Sequence, residues 1–430
     1  MARTRILVVG AGFAGLYAAI GLKRAARDGH RVTVVNPENF MQYQPFLPEV
    51  ASGTIDPRAV VVPLRTTLRH CEIVVGTVNR VDHAERRAVA TLADGKEREL
   101  EYDVIVIAPG STSRVLPIPG LAENGVGFKT VQEAIHLRNH VLSRLDVAAA
   151  SDDEDRRRAA LTFVFVGGGY AGVEALGELE DLVRDAMRTY PSLAPSHPRW
   201  ILVDVAPKIL PELGDDLASY AQDRLVERGV EIAVNTRLES YLDGAVVLSD
   251  GSSFKADTLV WTAGVRPSPL AKASGLPVDE AGRILTDDYL RVRGVDDAWA
   301  AGDAAAVPDR TTGALSPPTA QYGMRQGNRL ARNVAAVMAG RELEPFIHRN
   351  IGAVCSLGHY KGVAQIWGVK VKGFPAWFAH RTYHLYAMPT LTRRAKIAAD
   401  WTVALLFPRD LAQLGSLERP REPFERAAKV

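Results

Sequence analysis

Apolar positions along this chain follow two different periods that alternate in a fixed order. Ile6-Leu-Val-Val9 is a short β-branched run, followed by a glycine cluster, a segment with helical spacing over Ala14–Arg27, and a second β run, Val32–Val35. That order predicts a strand–helix–strand unit with parallel strands. The same order returns at Thr162-Phe-Val-Phe-Val166, through Gly167–Gly172 into a helical pattern over Val173–Tyr190, and out into Trp200-Ile-Leu-Val203. Each copy has a companion: Val104-Ile-Val-Ile107 runs into Ala108-Pro-Gly110, and Thr258-Leu-Val-Trp261 into Thr262-Ala-Gly264. Four-residue apolar runs ending on a glycine turn read as buried strands of a parallel sheet. One architectural unit is therefore used twice. Ser151–Arg158 is charged and lacks apolar period, so it is expected as a solvated connector between the halves.

After residue 345 the pattern changes. Trp367, Phe374, Trp377, Phe378, Tyr383, Tyr386, Trp401 and Phe407 are interleaved with Arg381, Arg393, Arg394, Lys396 and Arg409. Such a mixture suits either a dimer interface or an amphipathic surface lying on a membrane. The fold class expected is α/β, with two Rossmann-like domains and a C-terminal amphipathic, aromatic-rich region. Their boundaries are expected at 1–115 with 265–345, at 116–264, and at 346–430.

Composition narrows what this scaffold is for. The chain has 430 residues, 47% of them hydrophobic and 24% charged, values of a folded protein of two or three domains rather than a disordered one. Lys and Arg total 52 against 50 Asp and Glu, a formal charge of +2, so no overall field favours nucleic acid. Cys71 and Cys355 are the two cysteines and no C-x-x-C occurs. That excludes a disulfide framework, a Cys-rich metal site and a vicinal redox pair, and fits a reducing compartment; no metal is expected. The N-terminal apolar run is too short for a signal peptide, and no apolar stretch is long enough for a membrane span.

Gly10-x-Gly12-x-x-Gly15 lies directly between a predicted strand and a predicted helix, the context that gives this pattern meaning. The first glycine permits the tight turn, the second lets backbone approach a pyrophosphate, and the third lets helix and strand pack closely. The phosphates then rest on the helix N-terminus. At the end of the next strand, where an acid holds ribose hydroxyls, stands Asn36, with Glu38 two residues on as an alternative. Gly167-x-Gly169-x-x-Gly172 repeats the motif, and its following strand ends in Asp204. A carboxylate there accepts from ribose hydroxyls and repels a 2′-phosphate, favouring NADH over NADPH, although Lys208 is nearby in sequence. Two such sites imply two dinucleotides, FAD at the first and NADH at the second.

Ala298-Trp-Ala-Ala-Gly302-Asp303 adds the late Gly-Asp signature of two-dinucleotide-binding-domain flavoproteins, whose aspartate contacts the flavin ribityl and phosphate. With Gly110 and Gly264 closing their turns, the likeness spans roughly residues 4–340. Within that superfamily the chain resembles the type II NADH dehydrogenases, peripheral membrane flavoenzymes that pass electrons from NADH to quinone without pumping protons. Gly167-Gly-Gly-Tyr-Ala-Gly-Val-Glu174 matches the family's second nucleotide motif, and the resemblance makes Glu174 the expected proton-handling residue. Pro317-Pro-Thr-Ala320-Gln321-Tyr-Gly-Met-Arg325-Gln326 is similar to the family's quinone-site helix start, Ala-Gln-x-Ala-x-Gln. Ala320 and Gln321 fit, Arg325 takes the second glutamine's place, and Gln326 comes one position late, about 100° round the helix.

Residues 374–410 resemble the family's membrane-docking and dimerising segment. The resemblance thus implies a quinone partner (menaquinone or ubiquinone), a homodimer, a cytoplasmic position on the inner face of the cell membrane, and no nucleic-acid partner. A soluble acceptor on the same fold is the alternative that Arg325 supports; a nucleotide-sensing flavoprotein without turnover is a further one. A sulfide-oxidising relative would need redox cysteines beside the flavin, which Cys71 and Cys355 alone make a weak reading.

Overall fold

Valine- and isoleucine-rich runs that no polar face interrupts need cover on both sides, and the runs Ile6–Val9 and Thr162–Val166 each lie in the interior of their own sheet, flanked by a strand on either side. The computed structural model describes residues 3–414 and 427. The described chain falls into two compact units, each discontinuous in sequence. One comprises the chain up to Tyr43, Val61–Arg114 and Gly264–Ile351; the other comprises Gln44–Val60, Val115–Ala263 and the chain from Gly352 onward.

In the first unit a seven-stranded sheet has the order Ala298–Ala300, Val104–Ile107, Arg5–Val9, Arg31–Asn36, Glu72–Asp82, Arg87–Leu92 and Glu97–Glu101. The first five are parallel, with Val8 opposite both Val34 and Val106, and the last two return antiparallel. The helical pattern expected over Ala14–Arg27 forms two helices, Phe13–Gly21 and Lys23–Arg27. The break falls after Gly21, glycine being the weakest helix former in that segment. Gly21 is also where the helix Ala320–Met338 comes close, a Cβ there meeting the Ala331 Cβ at 2.5 Å.

The second unit carries five parallel strands in the order Val126–Gly127, Thr258–Trp261, Thr162–Val166, Arg199–Val203 and Val230–Ala233. The helix Val131–Ala150 begins with a capping box between Thr130 and Glu133. Ser151–Arg158 is not a connector between halves. Asp153 caps a helix, Glu154–Ala160, by accepting from the amides of Asp155 and Arg156. Arg156 then pairs with Asp257 at 2.8 Å, which fixes the segment within this unit. Charge without apolar period marks a short helix held by its cap and its ion pair as readily as a loop.

The aromatic-rich end of the chain opens with an antiparallel sheet, Gly352–Ser356, Gly362–Ile366 and Val369–Lys372, followed by helices Phe374–Ala387 and Leu391–Leu406. The expected C-terminal region extends to 430, and its residues 415–426 and 428–430 lie outside the described part. Phe374, Phe378, Tyr386 and Phe407 are exposed, as are Leu391, Val403, Leu405 and Leu406. Trp377 is buried, and Trp401 donates its indole N–H to Glu49 at 2.7 Å, so these two rings face inward. The partly buried Trp401 indole finds the acceptor for its N–H in Glu49. Among the described residues no helix is long and apolar enough to cross a membrane.

Candidate functional site: two glycine loops

Each glycine loop is shaped by the turn beside it. Gly10 has φ +90°, and a Cβ on it would lie 2.3 Å from the Ala108 carbonyl oxygen; a Cβ on Gly15 would lie 1.9 Å from the Gly10 oxygen. In the second unit Gly167 has φ +117° and would meet Ala263 N at 2.7 Å, while Gly172 would meet the Gly167 oxygen at 1.9 Å. First and third glycines are thus demanded by backbone contact in both loops. The middle ones are not: a Cβ on Gly12 or Gly169 meets nothing within 4 Å.

Gly12 and Gly169 are the N-caps of the helices Phe13–Gly21 and Tyr170–Met187, and neither helix start receives a side-chain cap among the described residues. Uncapped amides at a helix N-terminus, facing space that a side chain would fill, fit an anion such as a pyrophosphate. The donor set therefore suits one dinucleotide at each loop.

The residue ending the second strand is used alike in both units. Asn36 Oδ1 accepts the Ala11 amide at 2.8 Å, and its Nδ2 donates to the carbonyls of Glu38 and Phe40. Asp204 accepts the Gly168 amide through one oxygen and the Ala206 amide, at 2.7 Å, through the other. The Lys208 ammonium is engaged in an ion pair with Asp215.

Beside the first loop, Gly302 has φ +74° and starts a short turn that presents Asp303. Ser111 Oγ donates to Asp303 Oδ2 at 2.6 Å. The Gly302 amide donates at 2.8 Å to Gln326 Oε1, a buried side chain. Gln326 thus looks inward to the Gly-Asp turn, and Gln321 lies elsewhere on the helix. Ser111, Gly302, Asp303 and Gln326 line a 220 Å³ cavity together with Tyr322, Gly323 and Arg266. Gly110 and Gly264, at φ +72° and +91°, precede the lining residues Ser111 and Val265; Ser268 N donates to the Gly110 oxygen and Arg114 N to that of Gly264.

The family model for pyridine nucleotide-disulphide oxidoreductases matches residues 4–327. A type II NADH:quinone oxidoreductase of Mycobacterium tuberculosis is 30% identical over 422 residues, 95% of this chain and 89% of that protein. One from Staphylococcus epidermidis is 32% identical over 382 residues, 87% of this chain and 93% of its own. The chain belongs to the type II NADH:quinone oxidoreductase family. In fold it is similar to NDH2 of Plasmodium falciparum, solved in complex with NADH, with a TM-score of 0.89 at 16% identity over 96% of this chain and all of that one. It is an FAD-dependent enzyme that oxidises NADH. Cys71 and Cys355 are both free thiols; Cys355 is buried, and burial pushes the Cys71 thiol up to about 12.

In this family member the two expected chemical regions have distinct surroundings. Glu174 is the fifth residue of the helix Tyr170–Met187, one turn beyond the helix start, and is buried. Its Oε1 accepts the Ser356 amide at 3.0 Å and lies 3.0 Å from His380 Nε2. Glu178, one turn on, accepts from Ser52 Oγ at 3.0 Å. Glu49, 3% exposed, holds Arg381 at 2.9 Å as well as Trp401. Burial opposes charge on His380, but Glu174, Glu49 and Glu178 outweigh it and hold the imidazole above its ordinary value. Burial raises the Glu49 carboxyl, with Arg381 opposing.

Gln321 and Arg325 lie at the start of the helix Ala320–Met338, after the cap Thr319. Gln321 Oε1 is 2.6 Å from His348 Nε2, and Arg325 Nη1 donates to the Gln321 carbonyl at 3.0 Å. Tyr322 donates to the buried carboxylate of Asp309 at 3.0 Å, and burial together with Asp309 pushes the phenol up to about 12. Glu49, His380, His348 and Asp309 come from remote segments with no motif of their own, and nothing in their spacing marks them.

Proposed function

We propose that FAD lies on the Gly10–Gly15 loop and NADH on the Gly167–Gly172 loop, and that the electron pair taken from NADH leaves on a membrane quinone, menaquinone or ubiquinone. Gly110, Gly264, Gly302, Asp303 and Ala320 are assigned to the flavin, with Asn36 as the hydrogen-bonding residue at its ribose end. Asp204 is assigned to the NADH ribose, Glu174 to proton handling, and Gln321 with Arg325 to the acceptor. The observation that carries the assignment is the pair of middle glycines, Gly12 and Gly169, each open in front of an uncapped helix start. Bound flavin supplies a two-electron store between nicotinamide and acceptor. The protein's own part is to bind, orient and supply or hold protons.

The exposed aromatic and aliphatic residues of Phe374–Phe407, with Lys396 among them, support a peripheral position on the inner face of the cell membrane, and the same surface supports a homodimer. Neither arrangement involves proton pumping. A soluble acceptor is the second reading; Arg325, which is turned back onto its own helix at the Gln321 carbonyl, favours it.

NADH oxidation by the holoenzyme with a menaquinone analogue, a ubiquinone analogue and oxygen in parallel tests the acceptor. Turnover with a quinone well above that with oxygen is expected; equal or lower rates with both quinones would put the soluble acceptor first. Gly12→Val tests the flavin assignment, since its side chain enters the space assigned to pyrophosphate. A folded variant that keeps stoichiometric FAD would overturn it.

A further inference from the structure

Against the acceptor segment lies a side chain whose role nothing in the motif accounts for. Residues 341–350 have no regular structure, yet they are pinned at intervals along one side of the first unit. Glu344 N donates to Asn333 Oδ1 at 3.1 Å, and Asn333 Nδ2 returns a bond to the Glu344 carbonyl at 2.8 Å. Phe346 N donates to the Asp288 carbonyl at 2.7 Å, and Thr311 Oγ1 donates to the His348 carbonyl at 3.3 Å. Residues two apart in an extended segment face the same way, and both Phe346 and His348 reach the Tyr322 ring. The His348 and Tyr322 rings meet edge to face, centroids 4.7 Å apart at 80°, and Tyr322 is itself tied to Asp309.

The imidazole is therefore fixed in position and in plane, with Nε2 aimed at Gln321 Oε1 at 2.6 Å. An amide oxygen only accepts, so the ring donates from Nε2, and the amide is held with its oxygen toward His348 and its nitrogen away from it. Burial, with Arg325 adding to it and Asp309 opposing, pushes the ring down to about 4, so the imidazole is neutral across the working range of pH.

We propose that His348 is a positioning residue for the acceptor half-reaction: its Nε2–H fixes the orientation of the Gln321 amide, and it acts on the quinone only through that amide. This rests on the reading of Gln321 as an acceptor-site residue. Arg325 completes the arrangement from the other side of the turn by holding the Gln321 carbonyl. The amide that faces the acceptor is thus clamped at its side chain by one residue and at its backbone by another. The single N–H donor at 348 decides which end of the amide is presented.

The test is binding of a menaquinone analogue and a ubiquinone analogue to the oxidised holoenzyme without turnover, with FAD content and thermal midpoint recorded for each variant. His348→Phe keeps a ring against Tyr322 and removes the donor. It is expected to weaken analogue binding about three- to tenfold, the range of one hydrogen bond, with FAD retained. His348→Gln restores a donor and is expected to bring binding back to within about twofold of the wild type. Gln321→Ala is expected to weaken binding by itself, and Gln321→Ala with His348→Phe to be no weaker than Gln321→Ala alone. Losses that multiply in the double variant would show that His348 acts independently of Gln321 and overturn the proposal. If His348→Phe binds as the wild type while Gln321→Ala is impaired, the proposal fails and the reading of Gln321 stands. If Gln321→Ala binds as the wild type, that reading fails and takes the proposal with it.

Discussion

Replacing Arg381 by Met separates a charge effect from a packing effect in the buried polar cluster of the second unit. The Arg381 guanidinium meets Glu49 Oε2 at 2.9 Å, with side chains 12% and 4% exposed, and its carbon lies 4.2 Å and 4.8 Å from the ring centroids of Trp377 and Trp401. Met fills much of the same volume and keeps some contact with the rings. What it removes is the cation facing a buried carboxylate, a loss of about 3–5 kcal/mol when the partner is left charged. For a unit of this size that is a fall in melting temperature of roughly 6–20 °C.

The pH dependence identifies the cause. Burial already raises the Glu49 carboxyl above its ordinary value, and Arg381 is the largest influence opposing it. Without Arg381 the folded value rises further above the unfolded one, so the folded state binds the extra proton. Stability is then kept below the unfolded value and lost as pH rises through the folded one, at up to about 1.4 kcal/mol per pH unit. The difference between variant and wild type is therefore small at the acid end and grows as the pH is raised. Glu49→Gln combined with Arg381→Met removes the stranded charge while leaving Trp401 an acceptor, and is expected to return to within about 1–2 kcal/mol of the wild type. Urea unfolding followed by tryptophan fluorescence over a series of pH values measures all three proteins. A loss that is independent of pH, or that grows toward acid, would refute the reasoning.

Glu174→Gln keeps an acceptor for the Ser356 amide and removes the ionisable proton, so turnover is expected to fall with FAD retained; an unchanged kcat and pH profile would leave Glu174 a structural role only. Asp204→Asn keeps one of the two loop bonds and removes the charge, and is expected to narrow the NADH to NADPH ratio of kcat/KM by about tenfold. A wild-type ratio near one would remove Asp204 from the ribose. The full chain is expected to sediment with anionic vesicles at low salt and to be released at high salt, because Phe374, Phe378 and Phe407 are exposed in a segment carrying Arg393, Arg394 and Lys396. A protein that stays in the supernatant at low salt favours a soluble acceptor.

What the chain determined by itself is what short-range physics can encode. The β-branched runs Ile6–Val9 and Thr162–Val166 specify buried parallel strands, and the glycines at 10, 15, 167 and 172 specify turns in which any side chain collides with backbone a few residues or one strand away. At Gly15 and Gly172 the constraint acts within the strand–turn–helix unit, and at Gly10 and Gly167 it comes from the turns at 108 and 262–263; the glycine spacing between a strand and a helix still made fold class and both loops legible in the sequence. Orientation was not. The direction of a helical side chain is set by what packs on that face, so only the folded structure decided that Gln326 turns inward to Gly302, that Trp401 turns inward to Glu49, and that His348 meets Gln321. The charged run at 151–158 enters a helix capped locally by Asp153, and it is held within the second unit because Asp257, about a hundred residues away, receives Arg156. Partners this far apart in sequence leave no period and no spacing behind, and burial, which gives a single hydrogen bond or ion pair its weight, is a property of the folded protein alone.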